Sequence, residues 1–292
     1  MKYLNHLLLI SIFLLAATAC ESEAPENVAQ GEITLVLNVP GATPSKAVAP
    51  DAGESLISNV YLLFYASGAD ADATPAAFYA KTGLTADATW SATLAPADLI
   101  GTLAPYTVYD VYILASLPGG TTPPDASTTK GAFLALTEQQ FDRTADAPGI
   151  SFTAVTTYTA SAQNMLVTDL TRTVARIDVT LASAPADAIM QVLDEPSATF
   201  YQPGRAAATP SRTIHYMTKL ADGRFRCYVY ENAASSDKPI RLFVNSSSIN
   251  AYVEELLPGG SKEIKRNHIY TVALTLTTKS ATATNAIRMT NW

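Results

Sequence analysis

The chain is written almost throughout in a two-residue period. In TVARIDVTLA (173–182), Ala175, Ile177, Val179 and Leu181 alternate with Arg176, Asp178 and Thr180, the pattern of a strand with one face on a core and the other in water. Two runs are apolar on both faces. Leu56 to Gly68 puts Val60, Leu62 and Phe64 on one side and Tyr61, Leu63 and Tyr65 on the other, and Tyr106 to Leu117 behaves alike. Such strands belong in the middle of a covered sheet. Many short strands separated by turn residues, with hardly any stretch at helical period, restrict the chain to an all-β sandwich architecture with little helix.

In chain order, the first strand is EITLVLNV (32–39). Ile33, Leu35, Leu37 and Val39 share one face; Glu32, Thr34 and Asn38 face away, with Val36 the apolar exception. Eleven spacer residues (21–31) precede it and the loop PGATPSKAVAPD follows. So isolated, it is either the ordinary first strand of a sandwich or a strand that can be removed. AAFYAK and ATWSATLAP (76–81 and 88–96) are expected to pair with each other. One helix is expected near Thr129 to Phe141, and ISFTAV (150–155) closes the first half. The polar stretch TTYTASAQN (156–164) suggests a boundary, dividing the chain into a leader (1–19), a tether (20–31) and two domains in tandem, 32–163 and 164–292. Strands of the second half are expected at ATFYQ, RTIHYMTK, RFRCYVYEN, IRLFVNSS, HIYTVALTLTTK and AIRMTNW.

The leader has the layout of a secretory signal peptide: Lys2, an apolar run from Leu7 to Ala19, then small residues before Cys20. The run is too short to span a bilayer, which takes roughly 20 apolar residues. Ala17, Thr18 and Ala19 before the cysteine look like a bacterial lipobox, after which Cys20 becomes the acylated first residue; the alternative is plain signal cleavage beside an incidental cysteine. Acyl chains anchor a protein without a spanning helix. Cys227 is the one other cysteine, so acylation of Cys20 leaves no intrachain disulfide and the fold must stand on its core. Without Lys2 the chain holds 18 basic and 26 acidic residues, a balance that disfavours nucleic acid as a partner.

Little in the sequence points to catalysis. His215 and His268 sit in expected strands without zinc-ligand spacing. The PGG turns at 118–120 and 258–260 precede no helix, and no nucleophile elbow occurs. Adjacent carboxylates, Asp194 with Glu195 and Glu254 with Glu255, point to opposite faces of a strand. Cys227 reads as a buried, inert thiol, with Tyr228 and Tyr230 turned away from it. The expectation is a non-enzyme with no cofactor and no metal.

ISNVYLLFYASG, YDVYILASLP, LTRTVARIDVTL, RCYVYEN, KRNHIYTVALTL and the ending AIRMTNW, in that order, resemble the fimbrillin family of Bacteroidetes, the type V pilin-like lipoproteins. The glutamates behind Cys20 likewise resemble the tether of surface-exposed lipoproteins of these bacteria. The resemblance implies two transthyretin-like sandwiches and export to the outer membrane through acylated Cys20. It also implies removal of the first strand (Ile33, Leu35, Leu37, Val39) by cleavage in the loop behind it, and filling of the vacated groove by a strand of the next subunit. Family cleavage follows an arginine; here the loop holds Lys46 before Ala47, which is either a processing site or an exposed loop lysine. The C-terminal strand, with Ile287, Met289 and Trp292, is the candidate donor. Partners implied are other fimbrial subunits and a host protein or glycan ligand. The alternatives are a lipidated anchor of such a fibre and a surface glycan-binding lipoprotein.

Overall fold

The computed structural model describes residues 31–41, 53–139, 149–202, 211–221, 223–248, 250–253, 257, 261–277, 280–283 and 288–291. The first half contains β1 (Ile33–Asn38), β2 (Leu56–Ala66), β3 (Ala77–Asp87), β4 (Thr89–Leu94), β5 (Ile100–Gly101), β6 (Val108–Ala115), helix α1 (Lys130–Leu134), β7 (Thr137–Gln139), β8 (Phe152–Thr159), β9 (Met165–Asp169) and β10 (Thr171–Arg172). It is followed by β11 (Val174–Ala182), β12 (Ile189–Pro196), β13 (Ala198–Phe200), β14 (Arg212–Tyr216), β15 (Thr218–Ala221), β16 (Arg224–Tyr230), β17 (Arg241–Asn245), β18 (Asn250–Val253), β19 (His268–Thr277), β20 (Ser280–Ala283) and β21 (Arg288–Asn291).

The chain is an all-β sandwich protein. A three-stranded sheet, β4-β1-β9, lies over a six-stranded sheet, β10-β8-β6-β2-β3-β5. Between them Ile33, Leu35, Leu37, Leu94 and Leu166 meet Val60, Leu62, Phe64, Val111, Ile113 and Phe152 in one core. The opposite face of the larger sheet is covered as well: Tyr61, Leu63, Tyr65, Tyr112 and Leu114 pack with Phe133 of α1 and Tyr201. That double burial is what the two-sided apolar runs require, and β2 and β6 are interior strands. Beyond them β15-β16-β11-β19-β20, with β21 also on β19, faces β14-β12-β17-β18 across a core of Ile177, Val179, Val192, Cys227, Leu242, Val244 and Val272. Cys227 is free and buried, while Tyr228 and Tyr230 on the other face of β16 join the first core.

Three details differ from the sequence expectation. β3 and β4 follow one another but do not pair: β3 lies between β2 and β5, and β4 pairs with β1. Ala88, at φ 63°, turns the chain from one sheet to the other, its N–H donating to Ser55 O (3.1 Å) and its carbonyl accepting from Val39 N (2.7 Å). The stretch expected as polar linker continues as β8 to Thr159 and leads into β9, whose partner is β1; the strands that close the first core thus run past residue 164. The helix starts as expected, with the Thr129 side chain accepting from Ala132 N, but ends at Leu134, because Thr137 to Gln139 turn into a strand paired with β13. Phe141 lies outside the described residues.

Ala88 offers a test of this corner. Ala88→Gly should leave stability within about 1 kcal/mol of wild type, since glycine accepts a positive φ without strain. Ala88→Pro, with φ fixed near −65° and no N–H for Ser55, should cost about 3 kcal/mol or more in urea unfolding.

Candidate functional site

The site follows from the placement of β1. Its two-residue alternation sends Ile33, Leu35 and Leu37 into the core with no exposed surface and Val39 almost fully in, while Thr34, Val36 and Asn38 form the half-buried outer row. Both edges are bonded. The strand runs antiparallel to β4, from Ile33 opposite Leu94 to Asn38 opposite Thr89, and parallel to β9, from Thr34 opposite Met165 to Asn38 opposite Asp169. Thr34 N also donates to Asn164 O at 2.8 Å, and Leu170 N to Asn38 O at 2.7 Å. Burying four such side chains is worth on the order of 6–12 kcal/mol. A chain without β1 would have a slot between β4 and β9, apolar at its floor and lined on each side by unpaired backbone groups.

One guanidinium ties the end of this strand to the place where the chain returns. Arg172, fully buried on β10, donates Nη1 to Pro40 O at 2.9 Å and Nε to Glu54 O at 3.1 Å. Glu54 is in turn held through its carboxylate by Arg176 Nη1, at 3.1 and 2.9 Å, and by the Tyr228 hydroxyl. Asp178 links Arg176 (Nη2, 2.8 Å) to Arg226 (Nε, 2.6 Å). Burial pushes the Glu54 carboxyl above its ordinary value, against the pull of Arg176 and Tyr228. Burial also brings Arg172 down to about 10, with Glu54 opposing, so it stays charged at neutral pH.

This cluster corrects the reading of 173–182 as a strand with one wet face. Arg176 is fully buried and Asp178 partly so, with Thr180 left exposed, because the start of that face of β11 lies beneath Glu54 and beside the first core. The signal was present as opposite charges two residues apart on β11. It became legible only with the pairing that sets Asp178 across from Arg226 and Arg176 across from Tyr228.

Of the other candidate residues, Cys20, Lys46, Ala47, Ile287 and Trp292 lie outside the described residues. Met289 is more than half exposed on β21, which pairs antiparallel with β19, Met289 opposite Tyr270. The histidines are apart: His215 on β14 meets Glu195 (Nδ1 to Oε2, 2.6 Å), and His268 on β19 donates Nδ1–H to Arg266 O at 2.7 Å. Asp194 pairs with Arg241 (2.7 Å), while Glu195 turns inward to accept from Tyr230 N at 3.0 Å. Among the described residues no group of three or more His, Cys, Asp or Glu is placed to hold a metal, and no helix is long and apolar enough to cross a membrane. A further surface feature is a cross-strand row on the outer face of the last sheet. Tyr216, Gln191, Phe243 and Tyr252 stand in register, the last two rings 4.7 Å apart, with Arg241 over Tyr252.

No family model matches the sequence, and no curated protein matches it. Solved structures do match. The tip fimbrial protein Mfa3 from Porphyromonas gingivalis, with C-terminal truncation, superposes with a TM-score of 0.63 at 13% identity, over 89% of this chain and 100% of that one. A candidate cell adhesion protein from Parabacteroides distasonis gives 0.61 at 14% identity over 90% and 97%. A fimbrial assembly protein from the same species gives 0.58 at 14% over 89% and 94%. The fold is that of Bacteroidetes fimbrial and adhesion proteins. The resemblance read from the sequence is thus met in the fold, at identities where fold is what a likeness establishes.

The ion cluster carries a measurable coupling. Glu54→Ala and Arg176→Met should each cost about 3–5 kcal/mol, because each removes one member of a fully buried ion pair and leaves the other charge undercompensated. The double variant should cost clearly less than the two together, and urea midpoints of the four chains measure the difference.

Proposed function

We propose that the chain is a structural subunit of surface fimbriae, exported as a lipoprotein precursor acylated at Cys20 and assembled on the cell surface by strand exchange for adhesion, with no enzymatic role. The observation that carries this reading is the lodging of β1. It is the middle strand of its sheet and is held by ladders on both edges, yet it is the first of the described strands, and the segment that follows it contains Lys46. Cleavage between Lys46 and Ala47 frees it, and its departure exposes a groove with a driving force for another strand. The C-terminal strand is the proposed donor. Among the described strands it pairs with β19 alone, so its departure would break one ladder.

In this reading residues 32–163 and 164–292 are working divisions of the precursor, with β9 of the second completing the groove of the first. The deciding measurement is the N-terminal residue and intact mass of the protein taken from the cell surface. A chain beginning at Ala47 without lipid is the expected result. A chain beginning at acylated Cys20 with β1 retained would overturn the polymerising subunit and leave the lipidated anchor, which the lysine in place of arginine favours. Deleting residues 287–292 should give a folded monomer that forms no SDS-resistant ladder, whereas fibres of normal length from that truncation would exclude the donor assignment.

A second reading, a surface glycan-binding lipoprotein, is favoured by the row of Tyr216, Phe243 and Tyr252, since exposed aromatic faces stack on sugar rings. Binding to a polysaccharide panel that is lost in Tyr216→Ala and Tyr252→Ala chains, without any ladder, is the result that would select it.

A further inference from the structure

Where β16 ends, residues 231–234 and 263–266 line an open cleft of about 330 Å³, at the small end of ligand-site sizes. Its frame is built around Asn232, which is buried. Asn232 and Ile264 exchange both main-chain bonds at 2.9 Å. The Asn232 side chain donates Nδ2 to Lys262 O at 2.6 Å and to Lys238 O at 3.2 Å, and it accepts from Arg212 Nη1 at 3.0 Å. Arg266, buried as well, fixes the wall by donating to Thr199 Oγ1 (2.9 Å), Phe200 O (2.7 Å) and Tyr201 O (3.2 Å). A frame bonded in this way has little ordering entropy to lose when a ligand arrives.

The frame presents one acceptor that it does not use itself. The Glu231 side chain is only 10% exposed. Its Oε1 pairs with Arg266 and accepts from Thr199 Oγ1 at 3.1 Å, while Oε2 has no hydrogen-bond partner among the described residues. On the rim Lys265 Nζ lies 3.5 Å from Glu263 Oε2, both side chains about half in solvent, and Ala233 and Ala234 add apolar surface. Two acidic and two basic side chains line the cleft, a balance that selects neither sign of charge. We propose that this cleft binds a single neutral sugar unit. Each ring hydroxyl is both donor and acceptor: one donates to Glu231 Oε2, its neighbour accepts from Lys265 Nζ, and the C–H face of the ring lies on Ala233 and Ala234. A largely buried carboxylate oxygen rewards a hydroxyl that reaches it and penalises a ligand that covers it without one. The inference names a ligand class for adhesion but does not rest on strand exchange, and the cleft shares no residue with the row of Tyr216, Phe243 and Tyr252.

The test uses the full chain and saturation-transfer NMR titrations with the methyl glycosides of glucose, galactose, mannose and N-acetylglucosamine. N-acetylneuraminic acid and glucosamine serve as charged comparators. At least one neutral glycoside should bind, and more tightly than either comparator. Glu231→Gln should weaken that binding about tenfold, the loss of one hydrogen bond to a charged group. Lys265→Ala should weaken it too, and Ala234→Trp should abolish it by filling the cleft, while Tyr216→Ala and Tyr252→Ala leave it unchanged. Glu231 also braces Arg266, so if Glu231→Gln fails to fold, Lys265→Ala and Ala234→Trp decide, both being at exposed positions. The proposal is overturned if no neutral glycoside binds, if a charged comparator binds more tightly, or if binding persists in both of those chains. Loss of binding in the tyrosine variants alone would also overturn it, and would move the sugar to the outer sheet face of the glycan-binding reading.

Discussion

A three-stranded sheet cannot cover a core if its middle strand is missing, and here the middle strand is supplied by the first described segment of the chain. β1 lies between β4 and β9 and puts Ile33, Leu35 and Leu37 onto Val60, Leu62 and Phe64 of the sheet below. Both neighbours depend on it for their ladder bonds, since β4 and β9 meet no other strand of that sheet. The integrity of the first core is therefore concentrated in six residues near the start of the chain. They are gripped by ladders on both edges.

The larger sheet is the counterpart of this arrangement. Buried on one face by β1 and its neighbours and on the other by α1 and Tyr201, it is a covered bed that does not rely on β1 for its own ladder hydrogen bonds. The junction with β11 and β16 is built differently, from charge. Glu54, just after the loop, is clasped by Arg176 and Tyr228, and Arg172 bridges Glu54 to Pro40. Buried ion pairs of this kind contribute little net stability but penalise wrong arrangements heavily. They hold Pro40 and Glu54, on either side of residues 42–52, to the same buried cluster.

The proposed functional logic is one of asymmetry between the two ends of the chain. β1 is interior and deeply buried, so its absence creates a demand for a strand. Among the described strands β21 pairs with β19 alone, with Met289 more than half exposed, so its departure would break one ladder where that of β1 breaks two. Demand at one end and supply at the other are what a linear polymer of identical subunits requires, with contacts that run head to tail.

The amino-acid sequence by itself determined many of the strands and the apolar face of each, because side-chain alternation is a local property of a pleated chain, though β9, β12 and β18 were not among those it marked. It was enough to read Val60, Leu62 and Phe64 as one face and Tyr61, Leu63 and Tyr65 as the other, to place Cys227 opposite Tyr228, and to mark Ile33 to Val39 as half-buried. Only the tertiary structure decided which strands are neighbours. That β4 joins β1 rather than β3, that β9 completes the first core, and that Arg172 and Arg176 are buried rather than wet all depend on partners far along the chain, 132 residues for Arg172 with Pro40 and 122 for Arg176 with Glu54. Such pairings are settled by which surfaces fit together in three dimensions, and a two-residue period is the same whichever strand lies alongside.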